Sequence, residues 1–183
     1  RRETATNGAR SSVRVLKSVS RRHDMSQKSI HGVCVEIDGK GILLLGPSGS
    51  GKSDLALRLI DGGARLVADD QVALALEGGA VKPCIVASAP TEIRGLLEIR
   101  GVGIVAVETV QTSRLSLVVQ LVTPDLIERL PEGDSWDYLG VEIPMIMLAP
   151  FEASAAAKLR LAVRAPNMND GAITDNLGPT HDP

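Results

Sequence analysis

A chain of 183 residues suits one domain with tails, and a hydrophobic content of 44% is enough to fill a core. Aromatic residues make up only 2%, so that core must be packed from Leu, Val, Ile and Ala. The net charge of −2 argues against a broad nucleic-acid surface, and no apolar run approaches a membrane span.

The first 29 residues are rich in Arg, Ser and Thr, unlike the rest of the chain. Their composition fits a transit peptide, a disordered basic tail or an upstream extension, so they are expected to lie outside the fold. Met25-Ser26 is a candidate internal start. Two cysteines, Cys34 and Cys84, stand far apart without a CxxC pattern, which points away from a metal site or disulfide framework and towards a reducing compartment.

His31 to Ile37 alternates as a strand, Asp38-Gly39-Lys40-Gly41 reads as a turn, and Ile42 to Leu45 is a short apolar run, so the two strands predict an antiparallel hairpin. His31 by itself reads as a surface residue at a strand start. The stretch Gly46-Pro47-Ser48-Gly49-Ser50-Gly51-Lys52-Ser53 comes next and fits G-x-x-x-x-G-K-[ST], the phosphate-binding P-loop. Asp54 to Ile60 then has apolar residues at helical spacing, stopped by Gly62-Gly63. Strand, glycine loop and helix form the context this motif requires. The glycines let successive N–H groups converge on one anion, and the helix start adds partial positive charge. Lys52 is placed to reach terminal phosphates, and the Ser53 hydroxyl to ligate Mg²⁺.

Arg65 to Ala68 reads as a strand ending in Asp69-Asp70. Adjacent acids after a strand near such a loop can hold a metal or its waters and accept a proton from an incoming hydroxyl; the plain alternative is a polar turn. Residues 72–76 and 80–83 are expected to form a second hairpin across Glu77-Gly78-Gly79. The segment Ile93 to Val107 carries Glu98 and Arg100 on one face of a strand. The carboxylate suits Mg²⁺ and the guanidinium suits phosphate, unless the two pair with each other. Arg114 to Val122 alternates as a strand, and Thr123-Pro124-Asp125 opens a short helix expected to carry Glu128 and Arg129. Residues 133–140 read as a polar loop holding the sole Trp and Tyr, 141–148 as a strand, 152–165 as a helix, and 166–183 as a frayed tail.

These motifs, taken in order, resemble the catalytic domain of the HPr kinase/phosphorylase family. The resemblance covers roughly residues 30 to 150 and rests on His31-Gly32-Val33, the loop Gly46–Ser53 with Asp54, Leu66-Val67-Ala68-Asp69-Asp70, and Leu97-Glu98-Ile99-Arg100-Gly101-Val102-Gly103-Ile104. It implies an α/β P-loop kinase domain with a mixed sheet, related to phosphoenolpyruvate carboxykinase-like folds, spanning residues 30–165 and usually assembled as a hexamer. It further implies a cytoplasmic serine kinase using ATP and Mg²⁺ on HPr, the phosphocarrier of sugar transport, with a reverse step consuming inorganic phosphate. Its carried-over roles make Asp69 the proton acceptor, Lys52 the phosphate ligand, and Ser53 and Glu98 the approach to Mg²⁺. His31 and Arg129 match active-site positions, and Asp70 and Arg100 stand in support. The sequence departs from the family at Ala106, more often Asp, and at Glu152-Ala153-Ser154-Ala155, where members carry Gly-Arg-Asn. The second departure bears on the reverse reaction, so only the kinase set is carried over intact. No regulatory N-terminal domain is seen, which is similar to the short alphaproteobacterial form. A small-molecule kinase and a nucleotide-binding regulatory module without transfer activity are the rival readings of the same loop.

Overall fold

A computed structural model describes residues 28–79, 81–90 and 95–165. The expected N-terminal extension and C-terminal tail lie outside these residues, apart from Lys28 and Ser29, which already belong to a strand. Ala80, Ile93 and Arg94 also lie outside them.

Strand β1 (Lys28–His31) pairs antiparallel with β5 (Gln71–Glu77), while β2 (Val33–Ile37) pairs with β3 (Lys40–Leu45) and β4 (Arg65–Ala68). The predicted single strand from His31 to Ile37 is therefore broken at Gly32, where the chain changes neighbours. Glycine suits the crossing. A Cβ at Gly32 would stand 3.0 Å from the Leu44 carbonyl oxygen. The Gly32 amide instead donates to the Asp70 carbonyl, 3.1 Å away, tying this crossing to the end of β4.

The β2–β3 hairpin is as the sequence predicts, and α1 (Lys52–Asp61) succeeds the loop directly. The amides of Gly62 and Gly63 donate to Leu59 and Ile60 carbonyls and close α1 where the sequence places its stop. The second hairpin is displaced. β5 returns through β6 (Cys84–Ser88), not through residues 80–83, which belong to the connection. β7 (Leu96–Ile99) and β8 (Gly103–Ala106) form a separate two-stranded ribbon.

The long β9 (Thr112–Leu121) joins the sheet together. It runs antiparallel to β6 at its start and parallel to both β3 and β11 (Val141–Leu148) further on. The result is a nine-stranded mixed sheet in the order β1-β5-β6-β9-β3-β2-β4, with β10 (Asp134–Tyr138) and β11 branching from β9. Residues 134–138, expected in a polar loop, are thus a strand. Trp136 and Tyr138 stack at 5.2 Å and pack on the apolar face of the hairpin.

Central strands are buried on both faces, so they read as near-continuous apolar runs. Val33, Val35, Ile42, Leu44, Leu117 and Val119 pack against Leu55 and Leu59 of α1 and Leu159 of α2 (Ala155–Arg164). Cys34, Leu43, Val67, Leu74, Ile85 and Val118 fill the opposite face, in a cluster to which neither helix contributes. No aromatic residue is among the buried hydrophobic residues described, as the composition requires. Burial pushes the Cys34 thiol well above its ordinary value, so it packs as a small apolar group.

Candidate active site

The loop, β4 and the β7–β8 ribbon converge on a cavity of about 520 Å³. It is lined by Ser48, Gly49, Gly51, Lys52 and Ser53 of the loop, by Asp69, Asp70 and His31, and by Glu98 and Arg100. Gly46, Pro47 and Ser50 complete the turn without lining the cavity. Of the predicted site residues outside the loop, Arg129 is the one that does not line the cavity. The 3₁₀ turn Pro124–Leu126 ends in extended backbone at Ile127, with φ −85° and ψ 117°, so the expected helix never reaches Glu128 and Arg129. Arg129 is exposed and is not among the residues that line the cavity. Arg100, expected within a strand beside Glu98, lies in the turn just after β7.

Lys52 begins α1 and is buried. Its Nζ donates to the Gly46 and Pro47 carbonyls at 2.8 and 3.0 Å, so the loop wraps its own cation. Burial lowers the pKa of the ammonium from the ordinary lysine value, and the Asp70 and Asp69 carboxylates push it back up. A buried ammonium satisfied by carbonyls, beside a turn of loop amides at a helix start, is the donor set a polyphosphate requires. In the same loop the Ser50 hydroxyl is buried and has no hydrogen-bond partner among the described residues.

Gly51 shows why glycine is needed here. Its φ is +88°, and a Cβ would come 2.8 Å from Cζ of Phe151. Gly51→Ala is expected to lose about 1–2 kcal/mol from the left-handed backbone alone, measured by urea unfolding. An unchanged midpoint would show that the loop relaxes to another shape.

Asp69 and Asp70 have separate partners. The Ser53 hydroxyl donates to Asp69 Oδ1 at 3.1 Å, and the Glu98 amide donates to Asp69 Oδ2 at 3.4 Å. Burial raises the Asp69 pKa above the ordinary carboxylate value, while the bonds from Glu98, Ser53 and the Asp70 amide pull it partly back. Asp70 sits at φ +65° and its carboxylate is exposed, 3.1 Å from His31 Nδ1. His31 Nδ1 also lies 3.1 Å from the Asp70 carbonyl. His31 thus holds the turn and faces Asp70, not Asp69.

Among the described residues no cluster of three or more His, Cys, Asp or Glu forms a metal cage. Mg²⁺ is commonly held by one or two protein oxygens together with phosphates and water. A Ser53 hydroxyl that donates its proton to Asp69 keeps its lone pairs for a cation.

Nothing in the sequence pattern singled out Phe151, which lines the cavity against Gly51. Nor did it single out Arg58, which bonds Asp54 at 2.7 Å and donates to the Pro150 carbonyl. The spacing of Asp54 and Arg58, four apart on a helix, was the one available signal for their pairing.

A strand, a glycine-rich anion loop, a helix and a half-buried acid facing the loop define a P-loop phosphate-binding domain. The sequence model of the HPr Serine kinase C-terminal domain matches residues 23–169, and the chain belongs to that family. The HPr kinase/phosphorylase of Limosilactobacillus reuteri is 36% identical over 159 residues, covering 81% of this chain and 48% of that protein. The HPr kinase/phosphorylase of Bordetella pertussis is 40% identical over 148 residues, covering 75% of this chain and 46% of that protein. The chain therefore spans about half the length of these relatives. The solved structure of the Hpr(Ser) kinase/phosphatase from Coxiella burnetii superposes with a TM-score of 0.66 at 28% identity, covering 75% of this chain and 89% of that one. The mixed α/β fold is that of this family.

Proposed function

We propose that residues 28–165 form the catalytic unit of a protein-serine kinase, which transfers the γ-phosphoryl group of ATP to a serine of an HPr-type phosphocarrier. The observation that carries this reading is the convergence of Lys52, Ser53, Asp69 and Glu98 on one cavity. The names of the similar proteins supply the substrate.

ATP would supply the phosphoryl group, and Mg²⁺ would offset charge on its oxygens. The loop amides and Lys52 hold and orient the phosphates. Ser53 and Glu98 offer oxygens to the cation. Asp69 accepts the proton of the target serine, a role its half-burial and raised pKa favour. Arg100, on the cavity wall, can neutralise equatorial oxygens. His31 steadies Asp70 and with it the turn that aims Asp69. Most of the rate enhancement in such transfer comes from positioning and electrostatic stabilisation.

A cytoplasmic location belongs to the same proposal, and the two free thiols, Cys34 and Cys84, suit a reducing compartment. Among the described residues no helix is long and apolar enough to cross a membrane. A homo-oligomer, hexameric by resemblance, is also part of the proposal and is tested by light scattering of the purified chain.

The deciding experiment supplies γ-labelled ATP and Mg²⁺ to the chain with HPr of its own organism. Label on a serine supports the kinase. Nucleotide binding without label would favour the regulatory-module reading. Adding inorganic phosphate and assaying pyrophosphate then tests whether the reverse step survives the Glu152–Ala155 departure. Glu98→Gln should raise the Mg²⁺ concentration for half-maximal transfer by about ten-fold, as loss of one anionic oxygen from a sparse site predicts. An unchanged requirement would remove Glu98 from the metal.

A further inference from the structure

We propose that Phe151 is the nucleobase platform of this site, the surface on which the base of the bound nucleotide stacks. This deepens the ATP reading and rests on it.

Phe151 is the chain's single Phe and is 72% exposed. Folding normally gains about 1.5–3 kcal/mol by burying such a side chain. Here the backbone on both sides of the ring is tied down instead. Arg58 donates to the carbonyls of Pro150 and Glu152, which flank the Phe. The guanidinium is fixed by Asp54 at 2.7 and 3.1 Å, and Arg160 donates to the Arg58 carbonyl at 3.1 Å. The segment from Ala149 to Ala155 is two successive turns, with the Glu152 amide donating to the Ala149 carbonyl at 3.5 Å and the Ala155 amide to the Glu152 carbonyl at 3.0 Å. An aromatic ring is thus held out on the cavity wall by a latch anchored on α1.

Its neighbours say what it is held out for. The ring edge rests on Gly51, the last loop residue before Lys52, so it adjoins the phosphate cradle. Val33, Leu57 and Ile99 line the same cavity and add apolar surface. Phosphates have no use for apolar walls. A base does, because every base has a π-face that stacks on an aromatic side chain. A cavity of about 520 Å³ is also far larger than a triphosphate needs and lies in the range for a drug-sized ligand.

The test is calorimetric titration of ATP–Mg²⁺ and of inorganic tripolyphosphate–Mg²⁺ into the wild type, Phe151→Ala and Phe151→Trp. The expected result is an ATP affinity about ten-fold weaker in the Ala variant, an unchanged tripolyphosphate affinity, and recovery of ATP binding in the Trp variant. Equal losses for both ligands would make the ring a support for the loop and overturn the proposal. No loss for either, with a raised KM for the protein substrate, would make it a docking residue and overturn it as well. Those outcomes leave the ATP reading standing. A wild type that binds neither ligand would remove that reading and this inference together.

Discussion

Asp69→Asn is expected to lower phosphoryl transfer by about 10²–10⁴-fold while ATP affinity stays within about two-fold. The carboxylate is half-buried, receives the Ser53 hydroxyl on one oxygen and the Glu98 amide on the other, and is held facing the loop. An amide preserves the shape but cannot take the serine proton. Burial raises the Asp69 pKa, and in the proposed mechanism the ionised form is the base. The wild-type rate should therefore fall as pH drops through a value above the ordinary carboxylate range, and the Asn variant should lose that limb. The same shift carries a stability sign. A raised folded pKa means the fold binds this proton more tightly than the unfolded chain does. Its contribution is fully present below the unfolded pKa and lost as pH rises through the folded one. Thermal unfolding at a series of pH values should show the wild type gaining on Asp69→Asn as pH falls. Wild-type turnover in the variant would move the proton acceptor elsewhere, with Asp70 the nearest candidate.

Lys52→Met is expected to weaken ATP and tripolyphosphate binding by about 10²–10³-fold and to abolish transfer, with little loss of fold stability. Lys52 is the buried cation of the loop, and its ammonium hydrogen bonds go to Gly46 and Pro47 carbonyls. Burial lowers its pKa, so at neutral pH the charged form destabilises the fold until polyphosphate binding offsets it. Methionine keeps the stem and removes that charge. Calorimetry reads the affinity and urea unfolding reads the stability. Binding that survives would show that loop amides alone hold the phosphates.

Elements set by neighbouring residues were legible in the sequence. The β2–β3 hairpin, the loop, α1 and its glycine stop depend on contacts a few residues apart, and they fall where the pattern puts them. The β10–β11 hairpin also had a signal. Leu139 and Gly140 both take positive φ between segments that alternate Trp136, Tyr138 and Val141, Ile143, the pattern of a two-residue turn. The acidic and polar residues interleaved there masked it. The displaced β6 arose because the turn after Gly78-Gly79 is longer than a tight hairpin, and its register is fixed by pairing with β9.

Local pattern was enough to specify the anion loop, its lysine and serine, and an acid pair at a strand end. Those features need only backbone conformation within one strand–loop–helix unit and the chemistry of adjacent side chains. Composition was enough to specify a core of aliphatic residues. Long-range packing settled the remaining features of the site. It separated Asp69 from Asp70 by giving one to Ser53 and Glu98 and the other to His31. It left Arg129 outside the cavity lining, beyond a 3₁₀ turn that ends in extended backbone. It brought Phe151 onto Gly51 through the Arg58 latch, across the two helices. Each of these depends on which distant segments share a space, and that is set by sheet order and packing, which no local pattern encodes.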